Sequence, residues 1–320
     1  CVQWSPQESD SRQAACGVLW QPIGTICERL DQPECIRFGF NDRSHMSRPF
    51  THHDIPDQSG KTHFITGANT GIGFETALAV ARMGARVLLG CRSPEKGNAA
   101  MARILASVPE ADVTVVPLDL SDLASVRAAA AVVNQEPRLD VLINNAGVSQ
   151  RARAEDTTLE VDRQIMELNY FAVVSLTKAV LPGMVARNGG HVVVVSSVAG
   201  YVGTKRRTAY AATKHAVRGY FDSLRAEVAA HGVGVTIVCP GYVQTEISSS
   251  AMLGDGGQSG STDANIARGI PASRAAHAIL RGVTRGKNEV YVGGKEIVAI
   301  YLKRFFPRLL ARIVRNMPEV

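Results

Sequence analysis

What the chain lacks narrows it first. No stretch reaches the about 18 uninterrupted apolar residues by which a membrane span is read from sequence, and neither a sustained heptad nor a Gly-X-Y period is present, which excludes a coiled coil and collagen. Charged residues make up only 20% of the 320, against 45% hydrophobic. That is the composition of an ordinary globular protein with enough chain to bury a full core. The net charge of +6 is not spread as a stripe along the body, so no nucleic-acid partner is expected. Residues 1–45 are acidic overall, and much of the positive excess gathers after Lys295, where Lys303, Arg304, Arg308, Arg312 and Arg315 face only Glu296 and Glu319. The 6 cysteines form neither a CxxC pair nor a metal-ligand spacing, which leaves no expected metal site. Cys1, Cys16, Cys27 and Cys35 crowd the start of the chain. Cys91 and Cys239 end apolar runs and read as buried, reduced thiols, which fits a reducing, cytoplasmic setting.

Residues 1–45 contain no methionine, no basic segment followed by an apolar one, and no sustained periodicity. They read as a disordered leader or non-native extension, with a docking arm carrying a thiol switch as the alternative. The domain is expected over 46–320, beginning at Met46.

From Lys61 onward, apolar strand-like runs alternate with amphipathic helical windows, the signature of βαβ units around a parallel sheet. Strands are predicted at Thr62 to Thr66, Arg86 to Cys91, Val113 to Pro117, Val141 to Asn144, His191 to Ser196 and Val233 to Cys239, with a further one at Glu289 to Val292. The unbroken valines Val192 to Val195 require burial on both faces. The predicted fold class is therefore α/β: a doubly wound, Rossmann-type parallel sheet of about seven strands in a single domain.

Several turns of this frame carry chemistry. The first strand runs into Thr66-Gly67-Ala68-Asn69-Thr70-Gly71-Ile72-Gly73, which opens a helix predicted to reach about Met83. Glycines there let the backbone approach a pyrophosphate, and the helix N-terminus supplies positive potential for it. The spacing TGxxxGxG resembles the glycine motif of the short-chain dehydrogenase/reductase superfamily. The second strand ends in Gly90-Cys91-Arg92-Ser93, with no carboxylate where one would hold the adenosine ribose. Arg92 beside an uncharged Cys91 suits a 2′-phosphate, so NADP(H) is the expected coenzyme in preference to NAD(H).

The rest of the likeness follows in order and covers almost all of 61–245. Asp119 and the adjoining Leu120 match the position that meets the adenine end in similar proteins. Asn145-Ala146-Gly147, after Asn144, resembles the family's NNAG motif. Pro240-Gly241-Tyr242-Val243-Gln244-Thr245 resembles the turn at the nicotinamide end, through Pro240, Gly241, Val243 and Thr245. Asn169, Ser197, Tyr210 and Lys214 resemble the catalytic tetrad, with Tyr210 and Lys214 at i, i+4 on one helix face predicted from Thr208 to Ala230. Thr213 stands where a serine is usual, and Lys205 where many relatives have proline.

The resemblance implies that Tyr210 exchanges a proton with the substrate oxygen, that Ser197 binds that oxygen, and that Lys214 holds the nicotinamide ribose. It further implies that Asn169 anchors a water. A free phenol titrates near pH 10, so an adjacent ammonium is needed to make it useful near neutrality, and Lys214 is placed to supply it. Tyr201 and Lys205 also satisfy YxxxK, but Gly200 and Gly203 place them in a loop.

The first half of the chain, with GANTGIG and CRSPEKG, is similar to the retinol dehydrogenase and WW-domain oxidoreductase branch. The part after Val148 resembles the membrane-associated dehydrogenase/reductase branch related to 11β-hydroxysteroid dehydrogenase. The expected activity is hydride transfer between NADP(H) and a fairly apolar, small to medium carbonyl or alcohol substrate, in a homodimer or homotetramer. A coenzyme-binding sensor without turnover would have lost part of the tetrad, and a sugar-nucleotide epimerase or dehydratase would show a different glycine spacing. The cofactor and catalytic core is expected over 60–245. Residues 246–270, rich in Gly and Ser between Ser248 and Ala264, read as a mobile substrate lid with few polar anchors. The basic amphipathic segment 296–320 is expected to pack on the body or a second subunit, with peripheral contact to an anionic membrane as the alternative.

Overall fold

The computed structural model describes residues 54–317. The leader expected at 1–45 lies outside the described residues. Seven strands form one wholly parallel sheet: β1 Thr62–Thr66, β2 Arg86–Cys91, β3 Val113–Pro117, β4 Val141–Asn144, β5 Gly190–Val195, β6 Val233–Pro240 and β7 Glu289–Val292. They lie side by side in the order β3-β2-β1-β4-β5-β6-β7. β1, β4 and most of β5 and β6 are buried along their length, which is why residues 141–143 and 192–195 read as continuous apolar runs.

Among the described residues ten helices surround the sheet: α1 Gly71–Ala81, α2 Pro94–Ser107, α3 Leu123–Val133, α4 Leu159–Met166, α5 Ala172–Ala186, α6 Thr208–Val228, α7 Ala264–Ala267, α8 Ala272–Thr284, α9 Val298–Phe305 and α10 Pro307–Asn316. Two of the helices that follow strands, α2 and α3, start on a capping side chain. Ser93 accepts from the Lys96 N–H, with Pro94 in the first turn of α2, and Asp122 accepts from the Ala124 N–H of α3; each cap stabilises by about 1 kcal/mol. One core lies between the sheet and α3, α5 and α6, around Phe64, Leu176 and Phe221. The other lies under α1, α2 and α8, around Ile65, Leu89 and Ile279. Burial on both faces is what a doubly wound sheet requires.

The helical run Leu159–Ala186 is long and apolar enough to cross a bilayer. Its apolar side is accounted for by the core, however, since Ile165, Leu176, Val180 and Met184 are all buried. Between α4 and α5 the hydrogen-bond register widens into a π-helical turn, Glu167–Phe171. Such turns re-aim a side chain without ending the helix, and the one re-aimed here is Asn169.

At the end of the sheet away from the glycine turn, burial holds two histidines neutral: His63 and His191 are each pushed down from 6.5 to about 4. A lowered histidine costs nothing above pH 6.5. As pH falls from 6.5 toward 4, the unfolded chain takes up protons that the folded chain refuses, and stability drops. The loss is expected to reach about 2 kcal/mol per histidine near pH 5. Urea midpoints measured at neutral and acid pH check this: His63→Gln should flatten the dependence, and equal midpoints for the native chain at both pH values would refute it.

Candidate active site

β1 and β4 are neighbours in the sheet although far apart in sequence, and on opposite sides of that pair the chain winds in opposite directions. A crevice opens outside the strand ends at such a switch point. Here it is a cavity of about 770 Å³ running from Gly67 and Arg92 at one end to the C-terminal helices at the other.

Its floor is the glycine turn. Gly67 and Gly71 adopt φ of +64° and +58°, backbone that glycine takes without strain. A Cβ on Gly73 would lie 2.4 Å from the Gly67 carbonyl oxygen, and one on Gly71 3.0 Å from Thr245 Cγ2. Thr70 occupies the N-cap of α1 without a side-chain cap bond, leaving first-turn N–H groups free toward the cavity that Asn69, Thr70 and Ile72 also line. The cradle therefore suits a pyrophosphate.

The NNAG segment is tied to this floor. Thr66 Oγ1 accepts from the Asn145 and Ala146 N–H groups at 3.0 Å each, and Asn145 Nδ2 donates to the Thr66 carbonyl at 2.9 Å. Gly147 lies against Asn169, where a Cβ would stand 3.0 Å from its Oδ1. At the adenine end, Arg92 is exposed and lines the cavity with Asp119 and Leu120. Partial burial favours protonation of Asp119, but hydrogen bonds from Ser121 and the nearby Arg92 charge outweigh it and hold the carboxyl below its ordinary value. At the nicotinamide end, Pro240, Gly241, Val243 and Thr245 also line the cavity.

The four tetrad positions converge beside this turn. Ser197 follows β5, accepts from the Ala199 N–H at 3.0 Å and donates to the Pro240 carbonyl at 3.3 Å. Tyr210, in the first turn of α6, is buried. Burial pushes its phenol above the ordinary 10, while a hydrogen bond with Ser197 and the charge of Arg207 pull the other way. Lys214 is pushed down to about 8 by burial; its Nζ donates to the Val195 carbonyl at 2.9 Å and lies 5.7 Å from the Tyr210 ring centroid. Arg207, just before the helix, is a second cation acting on the phenol beside the expected Lys214. Asn169 Oδ1 accepts from the Val148 N–H at 2.9 Å, and its Nδ2 donates to the Val148 carbonyl at 2.8 Å and to Thr213 Oγ1 at 3.1 Å. The threonine standing in for serine therefore joins Asn169 to the catalytic helix.

Tyr201 falls in the loop after β5, and its hydroxyl is committed to Glu289 at 2.6 Å, with Arg218 stacked 3.4 Å from its ring centroid. It does not face the cavity. Tyr201→Phe is expected to keep turnover and lose about 1–2 kcal/mol of stability. A thermal melt and a steady-state assay read both, and lost turnover in a fully folded variant would contradict the assignment.

Two parts of the site escaped sequence reasoning. The C-terminal hairpin α9–α10 forms a wall of the cavity through Leu302, Leu310, Ile313, Val314 and Met317. It is held at one end by Glu296 Oε1, which accepts from the Tyr242 N–H at 2.9 Å, and at the other by Lys205 Nζ, which donates to the Met317 carbonyl at 3.0 Å. The segment 248–264, expected to have few polar anchors, has several. Asp263 accepts from Arg151 at 2.5 Å and from Arg207 at 3.0 Å, and the Met252 N–H and carbonyl bond Ser149 and Arg151. The two thiols among the described residues are buried and held protonated, Cys91 pushed up to about 11 and Cys239 to about 12 by burial. No group of residues able to hold a metal occurs among the described residues.

A seven-stranded parallel sheet with a glycine-floored crevice, and a Ser-Tyr-Lys arrangement at its nicotinamide end, define a coenzyme-dependent oxidoreductase. The chain belongs to the short-chain dehydrogenase/reductase family, whose members are NAD(P)-dependent oxidoreductases: residues 61–254 match the short chain dehydrogenase family. It is 40% identical over 271 residues to dehydrogenase/reductase SDR family member 7B of Danio rerio, covering 82% of this chain and 86% of the relative. Among solved structures it is similar to a short-chain dehydrogenase from Streptomyces avermitilis, with 29% identity, a TM-score of 0.69, and 81% and 99% of the two chains covered. It is also similar to one from Burkholderia cenocepacia in complex with NADP, with 27% identity, a TM-score of 0.66, and 81% and 99% coverage.

Proposed function

We propose that this chain is an NADP(H)-dependent carbonyl reductase or alcohol dehydrogenase acting on an apolar substrate. The observation that carries the reading is the meeting of Ser197, Tyr210 and Lys214 where the glycine-floored crevice opens into a chamber walled by Val202, Met252, Leu302 and Leu310. The bound coenzyme supplies the hydride. Gly67, Gly71 and Gly73 admit its pyrophosphate, Arg92 takes the 2′-phosphate, and Lys214 binds the ribose. In reduction, Tyr210 delivers its proton to the developing alkoxide while Ser197 holds that oxygen, and the reverse proton movement serves oxidation.

An apolar chamber fits the retinol dehydrogenase-like motifs of the first half and the 11β-hydroxysteroid dehydrogenase-like motifs of the second. The hairpin supports a membrane-adjacent setting on the cytoplasmic side. Leu310 and Ile300 are buried, yet Val298, Tyr301, Phe305, Phe306 and Leu309 are exposed among Lys303, Arg304, Arg308 and Arg312. Such a face rests on an anionic interface. Exposed Leu159 and Phe171 on α4 and the π-turn give a homodimer or homotetramer an apolar contact.

NADPH absorbance followed over a panel of aldehydes, ketones, quinones, retinoids and steroids, with NADH and Tyr210→Phe in parallel, tests the reading. Turnover that prefers NADPH and vanishes in Tyr210→Phe is expected. Tight NADPH binding with no turnover across the panel would instead support a sensor.

A further inference from the structure

Helix α6 carries Tyr210 in its first turn, and that turn is not capped by its own chain. The N-cap residue is Arg207, whose side chain makes no cap bond, so the N–H groups of the second and third helical residues need an acceptor from elsewhere. They find it in Gln150, from the loop after β4. Its Oε1 accepts from the Ala209 N–H at 2.8 Å and lies 3.5 Å from the Tyr210 N–H. These are the positions an N-cap side chain normally serves.

Three observations make this contact more than incidental. Gln150 has no exposed surface, so its amide has no water to fall back on, and a missing partner there would carry the full desolvation penalty. The amide orientation is fixed: Gln150 Nε2 donates to Thr157 Oγ1 at 3.0 Å, while the Thr157 hydroxyl gives its own proton to the Arg153 carbonyl at 2.7 Å. Thr157 can therefore only accept from Gln150, which turns the Gln150 carbonyl toward the helix. The same short stretch grips the approach to α6 at further points. The Ala152 N–H donates to the carbonyl of Arg206, a non-glycine residue at φ +62°, and Arg151 shares Asp263 with Arg207.

We propose that Gln150 is a positioning residue for the reaction: it caps the catalytic helix from another element and so fixes where the Tyr210 hydroxyl points. The inference rests on the reading of Tyr210 as the proton donor. Gln150 does not line the cavity, so it acts only through the helix. The charged groups near Tyr210 are Lys214, whose Nζ lies 5.7 Å from its ring centroid, and Arg207 just before its helix, which shares Asp263 with Arg151. A new carboxylate at 150 would add a negative charge against the first turn.

Two variants separate positioning from plain stability. In Gln150→Ala, kcat for the substrate that turns over fastest is expected to fall about 10- to 100-fold, the size of effect a small misplacement of a reacting group produces. The KM for NADPH should stay within about two-fold, since the glycine turn is untouched. In Gln150→Glu the acceptor facing the helix is kept while the donor to Thr157 is lost, so kcat should recover in part, with the pH profile displaced upward by about half to one unit by the new carboxylate. An ultraviolet difference titration of tyrosinate, each protein minus its Tyr210→Phe counterpart, reads the same displacement without any substrate. Wild-type kcat in folded Gln150→Ala, or an unmoved tyrosinate transition in Gln150→Glu, would overturn the proposal. Turnover surviving in Tyr210→Phe itself would instead sink the catalytic reading on which it stands.

Discussion

Tyr210→Phe is expected to lower turnover by about 10²- to 10⁴-fold, the range lost when a positioned acid is removed, while NADPH still binds with near-unchanged affinity. The hydroxyl is the only group removed, and the ring stays packed in a buried position. Within the tetrad no other side chain offers a comparable proton: Ser197 donates to the Pro240 carbonyl, and Lys214 to Val195. The same electrostatics set the pH behaviour. Burial holds the Tyr210 phenol above 10, so it stays protonated, the form reduction needs, through neutral pH. Alcohol oxidation requires the deprotonated form and should therefore climb as pH rises. Lys214, pushed down to about 8, loses its charge above that value, and reduction should decline there as its hold on the ribose weakens. Steady-state rates in both directions across this range, with coenzyme binding followed by fluorescence, decide it. A Tyr210→Phe protein that retained most of its rate would refute the assignment.

Arg92→Ala is expected to weaken NADPH about 10- to 100-fold, the worth of charge-assisted hydrogen bonds to a phosphate, and to leave NADH nearly unaffected. Arg92 follows β2 directly, is exposed and lines the adenine end of the cavity. Its neighbour Cys91 is buried and kept uncharged, so no carboxylate ends β2, and the guanidinium stands near the ionised Asp119 that lines the same end of the cavity. Parallel titrations with the two coenzymes read the result. An equal loss for both would mean that Arg92 supports the loop and does not select the phosphate.

The frame of this protein is legible in its sequence because each cue is local. Parallel interior strands carry unbroken apolar runs, so residues 141–143 and 192–195 stand out directly, and glycines at fixed spacing announce a turn that needs them. The choice between Tyr210 and Tyr201 was also local, since only one lies on a helix with its lysine. What stayed hidden depends on partners distant along the chain. Asp263 looks like an unremarkable loop residue until Arg151, 112 positions earlier, is found against it. Gln150 gives no sign of capping a helix that starts 58 positions later. The π-turn at Asn169 is a shift of hydrogen-bond register, which leaves no mark on composition or periodicity. Burial, likewise a property of the assembled fold, raises the Tyr210 phenol and lowers the Lys214 ammonium, which spacing alone does not show.

The hairpin wall has a consequence for how such an enzyme can change over generations. Hydride chemistry depends on residues between the glycine turn and the nicotinamide turn, whereas Leu302, Ile313 and Val314 only shape the room in which the substrate sits. Selection can therefore rewrite the hairpin, and with it the accepted molecule, while the reaction is inherited intact.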